Sequence, residues 1–455
     1  YILDHLTIAK PMLKKSYSVV LKNKIKKFNK TVKVDSDKSL SIRYCLIGAI
    51  SEGVSEIQNI LESEDVLSCI NCLKKLGIKI KKNKNKKYQV YGKGLGSLKI
   101  KKNSTLNFGN SGTLARLLIG ILSSTPNIEV KVGGDKSLNK RNMSSLINLM
   151  SKFGAEFYPK NKTNFPLKIT SSAIPVGINY IAGVSAQLKS AVILAGLNSY
   201  GVTNIYEKHK SRDHTENILK KNSKVIKKKN DEIKIYGKKF LNSIKAFVPG
   251  DPSSAAFVTS LTLLNPKSEL LIKGVGLNKK RIGYYNLMKK SGANIQFKNI
   301  YKQNNELFGD IKVRSSKLRP INAKSEYYVS ATDEYPIMFV IAALTPGVST
   351  FKGIGDLANK ESNRISEMKK ILTQIGIKCK SNNNEMKIFG KKEINIKNRN
   401  IFVPNLGDHR ICMSAMILAL VTGIKTNIRN FETVKTSSPS FLRLIKTLGG
   451  KFEIK

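Results

Sequence analysis

Two carboxylates stand where they could do acid/base chemistry: Asp333, in Asp333-Glu334-Tyr335-Pro336, and Glu361, in Lys360-Glu361-Ser362-Asn363-Arg364. Each begins a helix-like segment, and Lys360 and Arg364 flank the second. A pair of carboxylates among cations suits proton transfer on a phosphorylated substrate. Taken alone, the commoner reading is plainer: a helix N-cap at Asp333 and an exposed i,i+3 ion pair between Glu361 and Arg364. Turns that open other helix-like segments hold Lys38, Arg43, Gln187, His409 and Arg410. Helix N-termini present free N–H groups and partial positive charge, so several of them converging between two lobes would trap phosphate.

The elements that must position these residues recur six times. Each unit turns into a helix through polar or small residues, breaks at Gly or Pro, and makes a strand and a loop. A second helix then runs to a glycine, and another strand follows. The helices open at Lys38-Ser39, Asn110-Ser111-Gly112-Thr113, Ser185-Ala186-Gln187, Asp251-Pro252-Ser253-Ser254, Asp333 and Asp408-His409-Arg410. The breaks, at Gly53, Pro126, Gly201, Pro266, Gly347 and Gly423, fall 65 to 81 residues apart. Closing glycines stand at Gly77, Gly154, Gly292, Gly376 and Gly449, and the third unit has 220–222 in that place. So long a period marks a βα-type block rather than a thin solenoid repeat. Six blocks split three and three, with the crossing near 244–249, where a strand runs into Pro249-Gly250-Asp251. A short strand is expected at 32–34, and 1–15 carries no assignable pattern.

A chain of 455 residues allows two to three domains with ample core. The net charge of +49 invites a nucleic-acid reading. Its lysines, however, gather at 79–87, 220–229 and 391–397, mixed with Asn where strands and turns are expected, and with no aromatic platform. A bias toward Lys, Asn and Ile explains them, and attraction of small anions rather than nucleic acid is the expected benefit. No apolar run reaches the ~18 residues of a membrane span. No signal peptide is seen, and a chain starting at Tyr1 is expected to lack its original N-terminus. Five cysteines, an odd number, make no disulfide framework and fit a reducing cytoplasm. Cys69-Ile70-Asn71-Cys72 lies in an amphipathic helix pattern (Val66, Leu67, Ile70, Leu73, Leu76) and reads as core packing.

The chain closely resembles the 5-enolpyruvylshikimate-3-phosphate synthase family, especially its bacterial group with a Ser-Arg-Asp-His-Thr-Glu segment, here 211–216. The resemblance runs from about Lys33 to the C-terminus. It is carried by Asp37-Lys38-Ser39 with Arg43, Gly109-Asn110-Ser111-Gly112-Thr113, Gly134-Asp135-Lys136-Ser137-Leu138 with Arg141, and Ser185-Ala186-Gln187-Leu188-Lys189-Ser190. Further on come Val248-Pro249-Gly250-Asp251-Pro252-Ser253-Ser254, Asp333-Glu334-Tyr335-Pro336, Lys360-Glu361-Ser362 with Arg364, and Gly407-Asp408-His409-Arg410. Each segment is weak alone; all of them in the family's order are specific.

The resemblance implies the α/β, two-lobed enolpyruvyl transferase fold, each lobe of three repeated βαβαββ-type units with helix N-termini facing the interlobe cleft. The lobes are expected at 36–246 and at 16–35 plus 247–455. The implied reaction moves the enolpyruvyl group of phosphoenolpyruvate to the 5-hydroxyl of shikimate 3-phosphate and releases phosphate, with no metal or organic cofactor, in a monomer. By the family match Asp333 is the base at the hydroxyl, Glu361 handles the methylene proton and Lys38 assists. Shikimate 3-phosphate falls to Lys38, Ser39, Arg43, Ser185, Ala186, Gln187, Ser211, Arg212, Asp333 and Lys360. Phosphoenolpyruvate falls to Lys38, Gly112, Arg141, Gln187, Arg364 and Arg410, because guanidinium forks suit carboxylate and phosphate. Inhibition by glyphosate is expected to hinge on Gly112, where a methyl would crowd the inhibitor. The chain departs from the family at Asp35-Ser36 (Pro-Gly), Ile42 (His), Ala358-Asn359 (Arg-Val) and Thr436, a lysine elsewhere, which leaves Lys435 a weak candidate. UDP-N-acetylglucosamine enolpyruvyl transferases share the fold but carry a loop cysteine, and the corresponding stretch 103–116 has none. A non-catalytic basic binding protein on the same scaffold is the other alternative.

Overall fold

The computed structural model describes residues 16–83, 87–221, 224–395, 397 and 399–455. The segment 1–15, and Asn222 in the third unit's closing turn, lie outside them.

The described residues form six four-stranded sheets that share one strand order. The second unit shows the pattern in sequence: strand Thr105–Asn107, helix Gly112–Ser124, strand Glu129–Gly133, helix Ser144–Lys152, then strands Glu156–Tyr158 and Leu167–Thr170. The first two strands pair in parallel, and the last two complete the sheet antiparallel. Alternation drives the strands: along Lys87–Lys93, Tyr88 and Val90 point into the core and their neighbours do not.

The first helix of each unit is apolar all round because it is enclosed. Every residue of Tyr335–Ala343 is buried, as is every residue but the last of Pro252–Leu264. The second helices are two-faced, except that of the third unit, His214–Leu219, which is buried throughout. Five of these close at glycines with φ of +84°, +94°, +94°, +76° and +91°, where a side chain would be strained.

Two units exchange their first strands. Asn29–Val32 leads toward helix Lys38–Ile50 of the first unit but pairs with Glu269–Gly276 of the fourth. Reciprocally, Lys245–Phe247 leads into helix Pro252–Leu264 but pairs with Glu52–Gln58 of the first. The two crossing segments run side by side: Asp37 N–H donates to Pro249 O and Asp251 N–H to Asp35 O, both at 2.8 Å. The N-terminal strand Val19–Leu21 supplies the central strand of the sixth sheet, between Lys425–Ile428 and Glu453–Ile454. Apolar side chains accordingly gather into two cores, one spanning Leu40 to Val248 and one joining Val19–Val32 to residues from Ala255 to Leu448.

Two expectations need correction. The strand expected at 32–34 ends at Val32. Leu67, counted in the apolar stripe of helix Glu64–Lys75, is 43% exposed, although Cys69 and Cys72 are buried as expected. Neither Asp35 nor Ser36 takes a positive φ, so the loss of Pro-Gly costs no backbone strain. Asp35 instead accepts from Ser438 Oγ at 2.8 Å and Ser440 N–H at 3.0 Å, tying the first crossing to the sixth unit.

Candidate active site

Helix starts from both lobes meet between them. In the first unit Asp37 caps helix Lys38–Ile50 by accepting from Leu40 N–H at 2.8 Å, which puts Lys38 in the first turn. The Lys38 ammonium bonds Asp65 at 2.9 Å. Arg43, one turn on, is 2% exposed. It donates to Ser39 O and Oγ, Thr215 Oγ1 and Ser190 Oγ, at 3.0, 2.6, 3.0 and 3.2 Å. Most of its fork thus joins the first unit to the third and holds Ser39 in place.

In the second unit Ser111 caps the helix that begins at Gly112. A Cβ at Gly112 would stand 2.8 Å from Arg116 Nη1 and 2.9 Å from Arg141 Nη1, so two guanidiniums close over this glycine. Arg141 donates to Asn110 Oδ1, whose amide donates in turn to Asp135 at 2.9 Å. In the third unit Ser185 caps the helix that begins at Ala186. Gln187 donates to Thr113 Oγ1 and accepts from Arg116, both at 3.0 Å. The buried Lys189 ammonium lies 2.7 Å from Glu207 and 2.6 Å from Glu216, and donates to Ser211 O at 3.3 Å. That triad fixes the loop carrying Ser211 and Arg212.

The second lobe supplies the carboxylates. Arg364 is 1% exposed and donates from Nε to Asp408 at 2.9 Å and from Nη2 to Glu361 at 2.5 Å. The Glu361–Arg364 pair is therefore part-buried, with Arg364 enclosed and Glu361 16% exposed, rather than the surface pair that the sequence alone favours. Asp333 does not cap a helix: Glu334 occupies the N-cap position of Tyr335–Ala343, without a capping bond. Cross-lobe pairs complete the constellation, with Arg212 2.9 Å from Asp333 and Arg141 3.7 Å from Glu361. Asp408 caps helix His409–Thr422 through Arg410 and Ile411 N–H and so places Arg410 at its mouth. Lys360 lies 2.5 Å from Asp356.

Electrostatics follow from this geometry. Burial raises the Asp333 pKa, but Arg212, Arg410, Arg281 and Arg364 outweigh it and hold the carboxyl well below its ordinary value. Glu361 is likewise held well below: burial opposes ionisation, and Arg364, Arg141, His409 and Lys38 overcome it. Burial, then Arg410 and Lys38, push His409 far down against Glu361, so its imidazole is neutral. Buried donors remain without a hydrogen-bond partner: Arg141 Nε, Arg364 Nη1, and Arg410 Nε and Nη1. Unsatisfied buried guanidinium N–H groups are costly unless an anion meets them.

Every residue expected at the site from the sequence lies in this region except the weak candidate Lys435, which sits over the Tyr17 ring at 5.3 Å. Thr436, which the resemblance puts at the position of a family lysine, bonds Thr433 O at 2.7 Å. Sequence reasoning missed Arg116, Asp65 and Arg281. Arg116 stands one turn after Gly112, which is the available signal; Asp65 is in the first turn of a helix, where acidic residues are common, and Arg281 follows two lysines, so neither stands out in sequence. His214 pairs with Glu306 at 2.8 Å, and Thr215 accepts from Arg43 at 3.0 Å. Two surface hollows, about 750 and 810 Å³, lie elsewhere, on the third sheet and beside helix Arg364–Gln374.

Residues 22–445 match the family EPSP synthase (3-phosphoshikimate 1-carboxyvinyltransferase). The 3-phosphoshikimate 1-carboxyvinyltransferase of Zymomonas mobilis is 35% identical over 430 residues, 93% of this chain and 94% of the relative. That of Bacillus subtilis is 33% identical over 432 residues, 94% and 99%. The EPSP synthase of Acinetobacter baumannii superposes with a TM-score of 0.83 at 32% identity, covering 96% of this chain and all of that one. The enolpyruvyl transferase NikO of Streptomyces tendae, at 12% identity and TM-score 0.75, shares the fold. With its two-lobed architecture, its buried arginines and its paired carboxylates all on one matched length of sequence, the chain belongs to the EPSP synthase family.

Proposed function

We propose that the chain transfers the enolpyruvyl group of phosphoenolpyruvate to the 5-hydroxyl of shikimate 3-phosphate, with release of phosphate. The observation that carries this reading is the set of buried N–H groups without a hydrogen-bond partner on Arg141, Arg364 and Arg410, whose guanidiniums surround Glu361 and Asp333. Three guanidiniums can take the carboxylate and phosphate of phosphoenolpyruvate together. Gly112 leaves room for that ligand, and Gln187 and Lys38 reach it from the first lobe. Arg212, Ser211, Ser185, Ala186, Ser39, Arg43 and Lys360 hold shikimate 3-phosphate.

The proton steps follow. Asp333 removes the 5-hydroxyl proton as the oxygen bonds the central carbon of phosphoenolpyruvate, while the methylene carbon gains a proton. In the second step that carbon loses a proton and the phosphate leaves. Glu361 serves the methylene carbon and Lys38 neutralises developing charge. Binding itself tunes both carboxylates. When substrate anions draw Arg141, Arg364 and Arg212 to themselves, Glu361 and Asp333 lose cations and their pKa values rise toward those of working acids and bases.

The partners are thus two small anions, rather than nucleic acid or a membrane; no helix among the described residues is long and apolar enough to cross a membrane. We divide the lobes at 36–246 and at 16–35 plus 247–455, close to the division between the two cores, the first of which runs on to Val248, and take the chain to act as a cytoplasmic monomer with its cysteines free. Phosphate release with each acceptor in turn tests the function. Turnover is expected with shikimate 3-phosphate, and release only with UDP-N-acetylglucosamine would overturn the assignment.

A further inference from the structure

Arg281 lies outside the substrate-facing set, in the turn before helix Gly283–Lys290, yet it is 2% exposed and sits where the two chain crossings meet. Its Nη2 donates to Asp251 at 3.0 Å and to Ser253 Oγ at 2.9 Å, and lies 3.7 Å from Asp37. Ser253 Oγ donates onward to Glu334, the neighbour of Asp333. Asp37 and Asp251 are the caps of the first helices of the first and fourth units, and Glu334 begins that of the fifth. One cation therefore joins three helix starts, one in the first lobe and two in the second. On one arm lies Lys38, next to Asp37; on the other lies Asp333, next to Glu334.

Asp37, Asp251 and Glu334 are all under 4% exposed, and three carboxylates packed this closely repel unless a cation stands among them. The charged groups facing Arg281 are these three and Asp333, with Arg43, Arg212 and Arg410 as the surrounding cations. Lysine reproduces the arrangement poorly, since all three contacts are made by Nη2, which stands one bond further from the backbone than a lysine ammonium.

We propose that Arg281 is a positioning residue for the transfer reaction, which sets the Lys38 helix start and the Asp333 carboxylate in register across the two crossings. It touches neither substrate. It acts through Asp37 on Lys38 and through Ser253 and Glu334 on Asp333, and its charge is one of the cations that keep Asp333 ionised. This inference rests on the reading of Asp333 as the base.

The test uses the full chain and phosphate release from phosphoenolpyruvate and shikimate 3-phosphate, with kcat, both KM values and the pH profile of kcat. Arg281→Gln should lower kcat by about tenfold or more with both KM values within about threefold. Its acid limb should move to higher pH, because Asp333 loses a cation and its pKa rises. Arg281→Lys, which restores the charge but falls short of the Nη2 position, should return the acid limb and only part of kcat. Ser253→Ala, which keeps the charge and cuts the link to Glu334, should lower kcat severalfold with the acid limb unmoved. A purely structural role would lower thermal stability and leave kcat and the pH profile of the folded protein as they were, and that result overturns the proposal. If Arg281→Gln does not fold, wild-type kcat in both Arg281→Lys and Ser253→Ala overturns it equally. Near-normal turnover in Asp333→Asn would instead overturn the base assignment, and this inference with it.

Discussion

Glu361 stands between guanidiniums of opposite lobes, 2.5 Å from Arg364 and 3.7 Å from Arg141, and Asp333 is likewise shared between Arg212 and Arg364. Replacing either carboxylate with alanine should cut kcat by about two or more orders of magnitude while shikimate 3-phosphate still binds. Steady-state turnover with a calorimetric binding assay checks this, and near-normal kcat in either variant would sink its catalytic role. Gly112 makes a second case at this scale. A methyl there would press on the tips of Arg116 and Arg141, at 2.8 and 2.9 Å, and push Arg141 from where we propose that it holds phosphoenolpyruvate. Gly112→Ala should therefore raise KM for phosphoenolpyruvate severalfold and weaken inhibition by glyphosate more than that. An alanine variant no more resistant than the parent would refute the steric account.

At the scale of elements, one capping side chain often serves two structures. Asp408 accepts from Arg410 N–H at 2.9 Å as a cap and also receives Arg364 Nε at 2.9 Å. Asparagine can keep the cap but not the charge, whereas alanine loses both. The alanine variant should therefore be less stable than the asparagine variant by about 1 kcal/mol, the worth of a cap. Both should raise KM for phosphoenolpyruvate, because Arg364 loses the anion that orients it. Denaturant melts and initial rates separate the two effects, and equal stability of the two variants would mean the cap contributes nothing here.

The whole molecule is held together across its lobes by ion pairs, and these set its response to acid and to substrate. Burial raises the pKa values of Glu306 and Asp213, but His214, Asn217 and Asn278 hold Glu306 down, and Asn278 and Lys280 hold Asp213 down. With Asp333 and Glu361, these folded-state pKa values lie below the unfolded carboxylate range of about 4. Such groups add stability that is complete above that range and is lost as pH falls through their folded values. Asp251 and Glu334, raised by burial and by Asp37 and Asp333 respectively, favour the fold in the opposite sense, but fewer groups are of that kind. Tm should hold steady near neutrality and fall below about pH 4; an unchanged Tm at about pH 3 would contradict this. Because both carboxylates reach cations of the other lobe, the lobes should also close further on shikimate 3-phosphate. Small-angle scattering with and without it would show a smaller radius of gyration, and an identical radius would count against closure.

The chain's own pattern determined the six-fold repeat, because helix caps, Gly or Pro breaks and closing glycines are local chemistry with fixed spacing. It also marked Lys38, Gly112, Gln187, Glu361, Arg364 and Arg410, which sit at helix starts where short motifs are easy to read. Pairing across the crossings was not legible in that pattern; only the family resemblance put 16–35 with the second lobe. That Asn29–Val32 joins the fourth sheet and Lys245–Phe247 the first depends on partners more than 180 residues away, which no periodicity encodes. Charge was misleading for the same reason: Arg281 looks like surface beside two lysines, and Arg364 with Glu361 like a solvated helix pair. Only packing both lobes around them removes the water, and desolvation turns an ordinary surface charge into one that must be matched by specific partners.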